Sequence, residues 1–120
     1  MEDIYSNLTQ DILPIPLEYY EERRELIQKL LKDKGLCGWL LFDPENMFWL
    51  TGYQTIGYFT FQAMYVPDQG KPTLISRLVN QGLARSTPTI GSFIPIKDTD
   101  DSVLVLVSFL EERVQPNERM

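Results

Sequence analysis

The run from Leu36 to Tyr53, Leu-Cys-Gly-Trp-Leu-Leu-Phe-Asp-Pro-Glu-Asn-Met-Phe-Trp-Leu-Thr-Gly-Tyr, constrains the fold more tightly than any other stretch of the chain. Gly38 to Phe42 is short and almost continuously apolar, which predicts a strand covered on both faces rather than an edge strand of an open sheet. Asp43-Pro44 reads as a helix N-cap followed by proline at the first helical position. Pro44 to Leu50 is therefore expected to be helical, with Gly52 as its stop. A buried strand joined to a sharply capped helical turn without a spacer is the grammar of an α/β protein.

The flanking sequence extends that pattern. Leu17, Tyr20, the pair Leu26-Ile27 and the pair Leu30-Leu31 recur at helical spacing. Glu18, Glu21 and Glu22 open this helix and Lys32 and Lys34 close it, both signs favourable to the helix dipole. Glu25 and Lys29 stand as a supportive i,i+4 pair. Gly35 offers a left-handed stop, after which Leu36 can fold back on Leu31. Residues 1–16 read as an N-terminal arm and residues 17–120 as the domain. Downstream, Thr60 to Val66 is expected to be a strand whose two faces alternate. Pro67-Asp68-Gln69-Gly70 is a turn signal, and Lys71 to Ser76 completes an antiparallel hairpin. Arg77 to Arg85 is assigned to a short helix ended before Pro88, and Ser92 to Ile96 to another strand. Asp98 to Asp101 supplies a cap for a helix over Ser102 to Arg113, although the β-branched run Val103 to Val107 could equally form a strand. The order implies an α/β fold in three layers, a mixed sheet with helices on both faces.

With 120 residues the chain fits one domain, and 43% apolar with 23% charged residues is ordinary for a globular protein. The net charge of −6, with Arg23-Arg24 set among Glu21, Glu22 and Glu25, argues against nucleic acid, which needs clustered cations. No apolar stretch approaches the ~20 residues of a membrane helix, and the acidic start lacks the features of a signal peptide. Cys37 stands alone in an apolar run and reads as a small buried core residue. A reducing, cytoplasmic setting is the expectation.

Histidine is absent from the chain, which removes His-dependent triads and almost all zinc sites. Carboxylates remain: Asp43 with Glu45, and the cluster Asp98, Asp100, Asp101. Neither has calcium-loop spacing, and capping explains both groups better than a metal does. The glycines form no phosphate-binding motif. The remaining signal is aromatic: Phe48, Trp49, Tyr53, Tyr58, Phe59 and Phe61 crowd one short region. Phe48 and Trp49, on the helical turn, are assigned to the core. Tyr58 and Phe59, after Gly57, are expected in an exposed loop, where aromatics favour an interface.

These residues line up with a known pattern. Tyr20-Glu-Glu-Arg-Arg-Glu-Leu opens the likeness, which is strongest from Gly35-Leu-Cys-Gly-Trp-Leu-Leu through Glu45-Asn-Met-Phe-Trp-Leu-Thr-Gly-Tyr. It continues more weakly through Leu74-Ile-Ser and the Asp98 to Glu112 segment, and covers about residues 17 to 113. The chain resembles the N-terminal domain of the creatinase/prolidase family, which includes aminopeptidase P and Xaa-Pro dipeptidase-like proteins. The resemblance implies a ribonuclease H-like topology and a non-catalytic role. In such proteins a separate pita-bread domain, missing from this chain, binds two divalent metals through two Asp, one His and two Glu. The N-terminal domain makes homodimer contacts and overhangs the active site of the neighbouring subunit, which would put Tyr58 and Phe59 nearest a partner's substrate. Asp43, Asn46, Thr51, Gly52 and Tyr53 would be structural residues of the motif, with no catalytic residue and no metal ligand in the chain. Leu78 to Gly91 departs from the pattern, and the family tends to add a further strand after the position of Met120. Two rivals are a free-standing module that binds a small molecule or peptide, and a magnesium-dependent hydrolase using Asp43, Glu45 and Asp98.

Overall fold

The longest helix, α1 (Leu17–Asp33), buries Tyr20, Gln28 and Leu31 along one face. Its end follows the expected chemistry. Gly35 adopts φ +69°, its N–H donates to the Lys32 carbonyl at 3.1 Å, and the Leu36 N–H donates to the Leu31 carbonyl at 2.8 Å. This paired closure satisfies carbonyls the helix would otherwise leave open. The Glu25–Lys29 pair does not close: among the described residues the ion pair within 4.0 Å is Arg77–Asp98. The computed structural model describes residues 13–54, 61–115 and 117–120. Residues 1–12 of the arm, and Tyr58, Phe59 and Thr60, lie outside them.

After α1 come β1 (Gly38–Leu41), α2 (Pro44–Thr51), β2 (Ala63–Pro67) and β3 (Thr73–Arg77). A 3-10 turn (Leu78–Asn80) then runs into α3 (Gln81–Ser86), followed by β4 (Ser92–Ile96) and α4 (Ser102–Arg113). The sheet order is β1-β2-β3-β4. The β1–β2 and β2–β3 pairs are antiparallel, with Leu40 opposite Tyr65 and Met64 opposite Leu74. The β3–β4 pair is parallel, with Ile75 beside Ile94. One face holds Leu41, Met47, Leu50, Tyr53, Met64, Val66, Leu74 and Ala84, with Ile27 and Leu83 packed against them, so α1, α2 and α3 cover it. The other face holds Ala63, Tyr65, Ile75 and Ile96 under Leu106 and Phe109 of α4. The mixed sheet with helices on both faces is the architecture expected from the sequence.

Four local expectations need correction. First, β1 is an edge strand among the described residues, despite its apolar run. Its residues alternate between the two helix-covered faces, Trp39 and Leu41 on one and Leu40 on the other. An apolar run reports the layers above and below a strand, and says nothing of its lateral neighbour. Second, the strand β2 begins at Ala63, so Phe61 and Gln62 precede it. Its faces alternate as expected, Ala63 and Tyr65 on one and Met64 and Val66 on the other, and all four are buried because helices cover both sides.

Third, Phe48 and Trp49 are 37% and 44% exposed. Met47, Leu50 and Thr51 turn inward from α2, and at helical spacing that leaves positions 48 and 49 on the outer flank. Fourth, Cys37 is only half-buried. Its carbonyl accepts from the Tyr65 hydroxyl at 3.3 Å and from the Asp68 N–H at 3.0 Å. The Tyr65 ring is laid so close over Gly38 that a Cβ there would sit 2.5 Å from its Cε2.

The ambiguous segment Ser102 to Arg113 is a helix. Asp101 caps it, its Oδ1 accepting from the N–H of Val103 at 3.0 Å and of Leu104 at 3.3 Å. A strand would place alternate residues on two covered faces. Only Leu106 and Phe109 are buried here, three apart, which is helical geometry.

Candidate functional site

The motif Thr51-Gly52-Tyr53 ends α2 and leads into the segment that contains Tyr58 and Phe59. Asp43 starts this helix, its Oδ1 accepting the Glu45 N–H at 2.9 Å, and Pro44 occupies the first turn. Thr51 is a junction. Its Oγ1 donates to the Met47 carbonyl at 2.7 Å and accepts the Tyr53 N–H at 3.1 Å. Its carbonyl accepts the Thr89 hydroxyl at 2.5 Å, in a buried bond that ties α2 to the loop before β4. Gly52 adopts φ +75°, and a Cβ there would lie 2.8 Å from Leu13 Cδ2 and 3.0 Å from the Tyr20 ring. Both its backbone and its surroundings demand glycine. Tyr53, 1% exposed, belongs to the core. The Asn46 side chain is exposed, and no described hydrogen bond uses it.

Arg23 locks α1 onto the other flank of α2. Its guanidinium donates to the Trp49 carbonyl at 2.6 Å and lies 4.8 Å from the Trp49 ring centroid and 5.6 Å from that of Tyr20. A cation at a helix C-terminus answers the dipole, and over an aromatic face it adds cation–π attraction. Burial raises the Tyr20 phenol above its usual pKa of 10.0, and the nearby Arg23 charge partly offsets that.

Past residue 60 the chain returns through Phe61, which meets Phe42 edge-on with ring centroids 6.1 Å apart. Gln62 follows, buried, with neither amide atom hydrogen-bonded among the described residues. Beside Phe61 opens a cleft of about 320 Å³ lined by Arg77, Ile96, Lys97, Asp98, Asp100 and Ser102. Arg77 donates to Asp98 at 2.6 Å, and the Asp100 carboxylate accepts the Lys97 N–H at 2.8 Å. A second groove of about 600 Å³ runs between β4 and α4, lined by Ile94, Asp101, Leu104, Val105, Phe109 and Glu112. Val103, Leu104 and Val107 expose an apolar strip on α4.

The carboxylates of interest are engaged: Asp43 and Asp101 cap helices, Asp100 closes a turn and Asp98 pairs with Arg77. Among the described residues no three His, Cys, Asp or Glu side chains come together as metal ligands. No described helix is long and apolar enough to cross a membrane. Sequence reading missed the Arg77–Asp98 pair, the Phe42–Phe61 contact and the Thr89–Thr51 bond. The first joins the end of β3 to the turn after β4, two strands that run parallel and adjacent in the fold.

The geometry has counterparts among known proteins. The chain is 28% identical over 80 residues to ectoine hydrolase of Halomonas elongata, a match spanning 67% of this chain and 20% of that enzyme. Its fold superposes on prolidase from Thermococcus sibiricus with a TM-score of 0.69 at 20% identity, covering 78% of this chain and 25% of that one. The N-terminal domain of Xaa-Pro dipeptidase from Lactobacillus brevis gives 0.66 at 17% identity, covering 75% and 67%. A proline dipeptidase structure from Streptococcus pneumoniae gives 0.66 at 18%, covering 74% and 65%. The chain thus spans about a fifth of the curated relative and a quarter of the Thermococcus prolidase. The family model described as Creatinase/Prolidase N-terminal domain matches residues 23–120, and the chain belongs to that family.

Proposed function

We propose that this chain is the accessory N-terminal domain of a metal-dependent hydrolase of the Xaa-Pro peptidase or creatinase type, working in the cytoplasm. In this reading it assembles a homodimer and covers the active site of a neighbouring subunit. The observation that carries the proposal is the match of residues 23–120 to a family defined as an N-terminal domain, within relatives of which it makes up only a fraction. The catalytic centre and its two divalent metals belong, in this reading, to the remainder of such a polypeptide. The exposed apolar strip Val103, Leu104 and Val107 on α4, and half-exposed Phe42 beside Phe61, supply the surface that assembly requires. In this reading Tyr58 and Phe59, which follow the Thr51-Gly52-Tyr53 motif in sequence, act as the substrate-facing residues.

The test uses a polypeptide that joins this domain to its hydrolase domain. Phe59→Ala there lowers kcat/KM for an Xaa-Pro dipeptide by about tenfold or more, because a misplaced covering residue costs positioning of the substrate. Unchanged kinetics with an unchanged oligomeric mass would contradict the covering role. Tight binding of a free peptide by the 120-residue chain alone would favour an independent binding module.

A further inference from the structure

The outer stripe of α1 is complementary to itself. Tyr19, Leu26 and Leu30 are 51%, 57% and 46% exposed. Together with Arg23 and Asp33 they recur at alternating steps of four and three residues, the spacing that turns one side of a helix toward a partner helix. Glu22 and Lys34, both exposed, flank the stripe near its two ends. Lys34 still follows helical geometry, its N–H donating to the Leu30 carbonyl at 3.1 Å. The opposite side of the helix is the buried one, holding Tyr20, Gln28 and Leu31. Trp49 of α2, 44% exposed, extends the apolar surface beside Arg23, whose guanidinium lies 4.8 Å from its ring centroid.

We propose that this stripe is a two-fold interface, on which α1 of a second copy of the chain lies antiparallel. Where Leu26 of one copy meets Leu30 of the other, Glu22 falls opposite Lys34 and Arg23 opposite Asp33, and the two-fold axis repeats each pair. A surface that packs on its own copy needs residues equidistant from its centre to be alike where apolar and opposite where charged. All six of these residues meet that condition. The leucines exclude water at the centre, and the charged pairs outside them fix the register. Arg23 spends one N–H on the Trp49 carbonyl, which leaves further guanidinium donors for Asp33. A parallel arrangement would instead set Glu22 against Glu22 and Lys34 against Lys34.

The apolar strip on α4 fails the same condition. Laid antiparallel on itself about Val103 and Val107, it brings Glu111 and Glu112 against the acidic end at Asp98, Asp100 and Asp101. Laid parallel, it sets Glu111 against Glu111. A chain of net charge −6 gains nothing from either. A single pair of helices is a small contact, and interfaces under about 1,200 Å² are weak and transient, so association through α1 depends on concentration. The inference deepens the homodimer of the proposed function and rests on that reading, adding a two-fold contact to the surfaces invoked there.

Sedimentation equilibrium of the 120-residue chain over a range of concentrations tests it. The parent moves from 14.0 kDa toward twice that mass as concentration rises. Leu26→Asp with Leu30→Asp abolishes the rise and leaves the far-ultraviolet circular dichroism unchanged, since both positions are exposed. Glu22→Lys alone and Lys34→Glu alone each raise the dissociation constant about tenfold or more, because both symmetry-related pairs become like-charged. Mixed together, these two variants form a heterodimer, and the double variant Glu22→Lys with Lys34→Glu associates as the parent does. A parent that stays monomeric at every concentration overturns the proposal. So does self-association that the charge variants leave unchanged, or that Val103→Asp with Val107→Asp abolishes. A monomeric 120-residue chain beside a dimeric longer polypeptide would overturn this contact and leave the assembly reading standing.

Discussion

The hydroxyl of Thr89 donates to the carbonyl of Thr51 at 2.5 Å, and both residues are almost wholly buried. That bond joins the end of α2 to the loop entering β4, across 38 positions of sequence. It satisfies a helix-end carbonyl where water has no access. Thr89→Val keeps the shape and leaves that carbonyl unpaired. The expected loss is about 1–3 kcal/mol, read as a lower urea midpoint at constant m.

Gly52 and Gly70 separate backbone strain from steric clash. Both have positive φ, +75° and +93°, but only Gly52 has neighbours in the way of a Cβ, Leu13 Cδ2 and the Tyr20 ring. Gly70→Ala is expected to cost about 1 kcal/mol from conformation alone. Gly52→Ala adds overpacking of about 1–3 kcal/mol. Parallel thermal or urea melts check the order; equal losses would remove the packing argument.

The acidic cluster after β4 contains members of unequal weight. Asp101 caps α4 through two backbone N–H groups, so Asp101→Ala should cost about 1 kcal/mol. Asp98 makes its bond to Arg77 with a side chain 85% exposed, and Asp98→Ala should cost about 0–1 kcal/mol. If the two losses are reversed, Asp98 carries a structural role that its geometry does not display.

Tyr65 predicts a loss of stability in alkali. Burial, then the neighbouring Cys37 and the carboxylates of Asp68 and Glu118, push its pKa up from 10.0 to about 12. Between these values the unfolded chain has released the phenol proton while the folded chain retains it. Stability is therefore full below pH 10 and falls as pH rises toward 12. Tyr65→Phe flattens this decline in pH-dependent urea melts, and absorbance titration of the parent shows a late tyrosine ionisation that the variant lacks.

Much of the fold was legible because local signals agreed. The Gly35 stop, the Asp43-Pro44 start and the Asp101 cap each identify an element end by backbone chemistry that acts within a few residues. Ser102 to Arg113 was harder, since Val103 to Val107 is apolar in every direction and periodicity alone does not separate helix from strand. Lateral position was not legible at β1, whose side chains report only the layers above and below. The helical turn misled at Phe48 and Trp49: hydrophobicity drew them inward on paper, whereas the register of Met47, Leu50 and Thr51 turns them out. The Thr51–Gly52–Tyr53 junction was visible as a motif, but its partner Thr89 lies far along the chain and gives no local sign. Tyr58 and Phe59 fall outside the described residues, so their role rests on the functional proposal.

The most direct test of that proposal is to assay the purified 120-residue chain for hydrolysis of an Xaa-Pro dipeptide with divalent metal present, beside the polypeptide that also carries the hydrolase domain. The account predicts turnover by the longer polypeptide alone, and no metal uptake by the shorter chain in calorimetry. Hydrolysis by the 120-residue chain, abolished by a chelator or by Asp43→Asn, would contradict it.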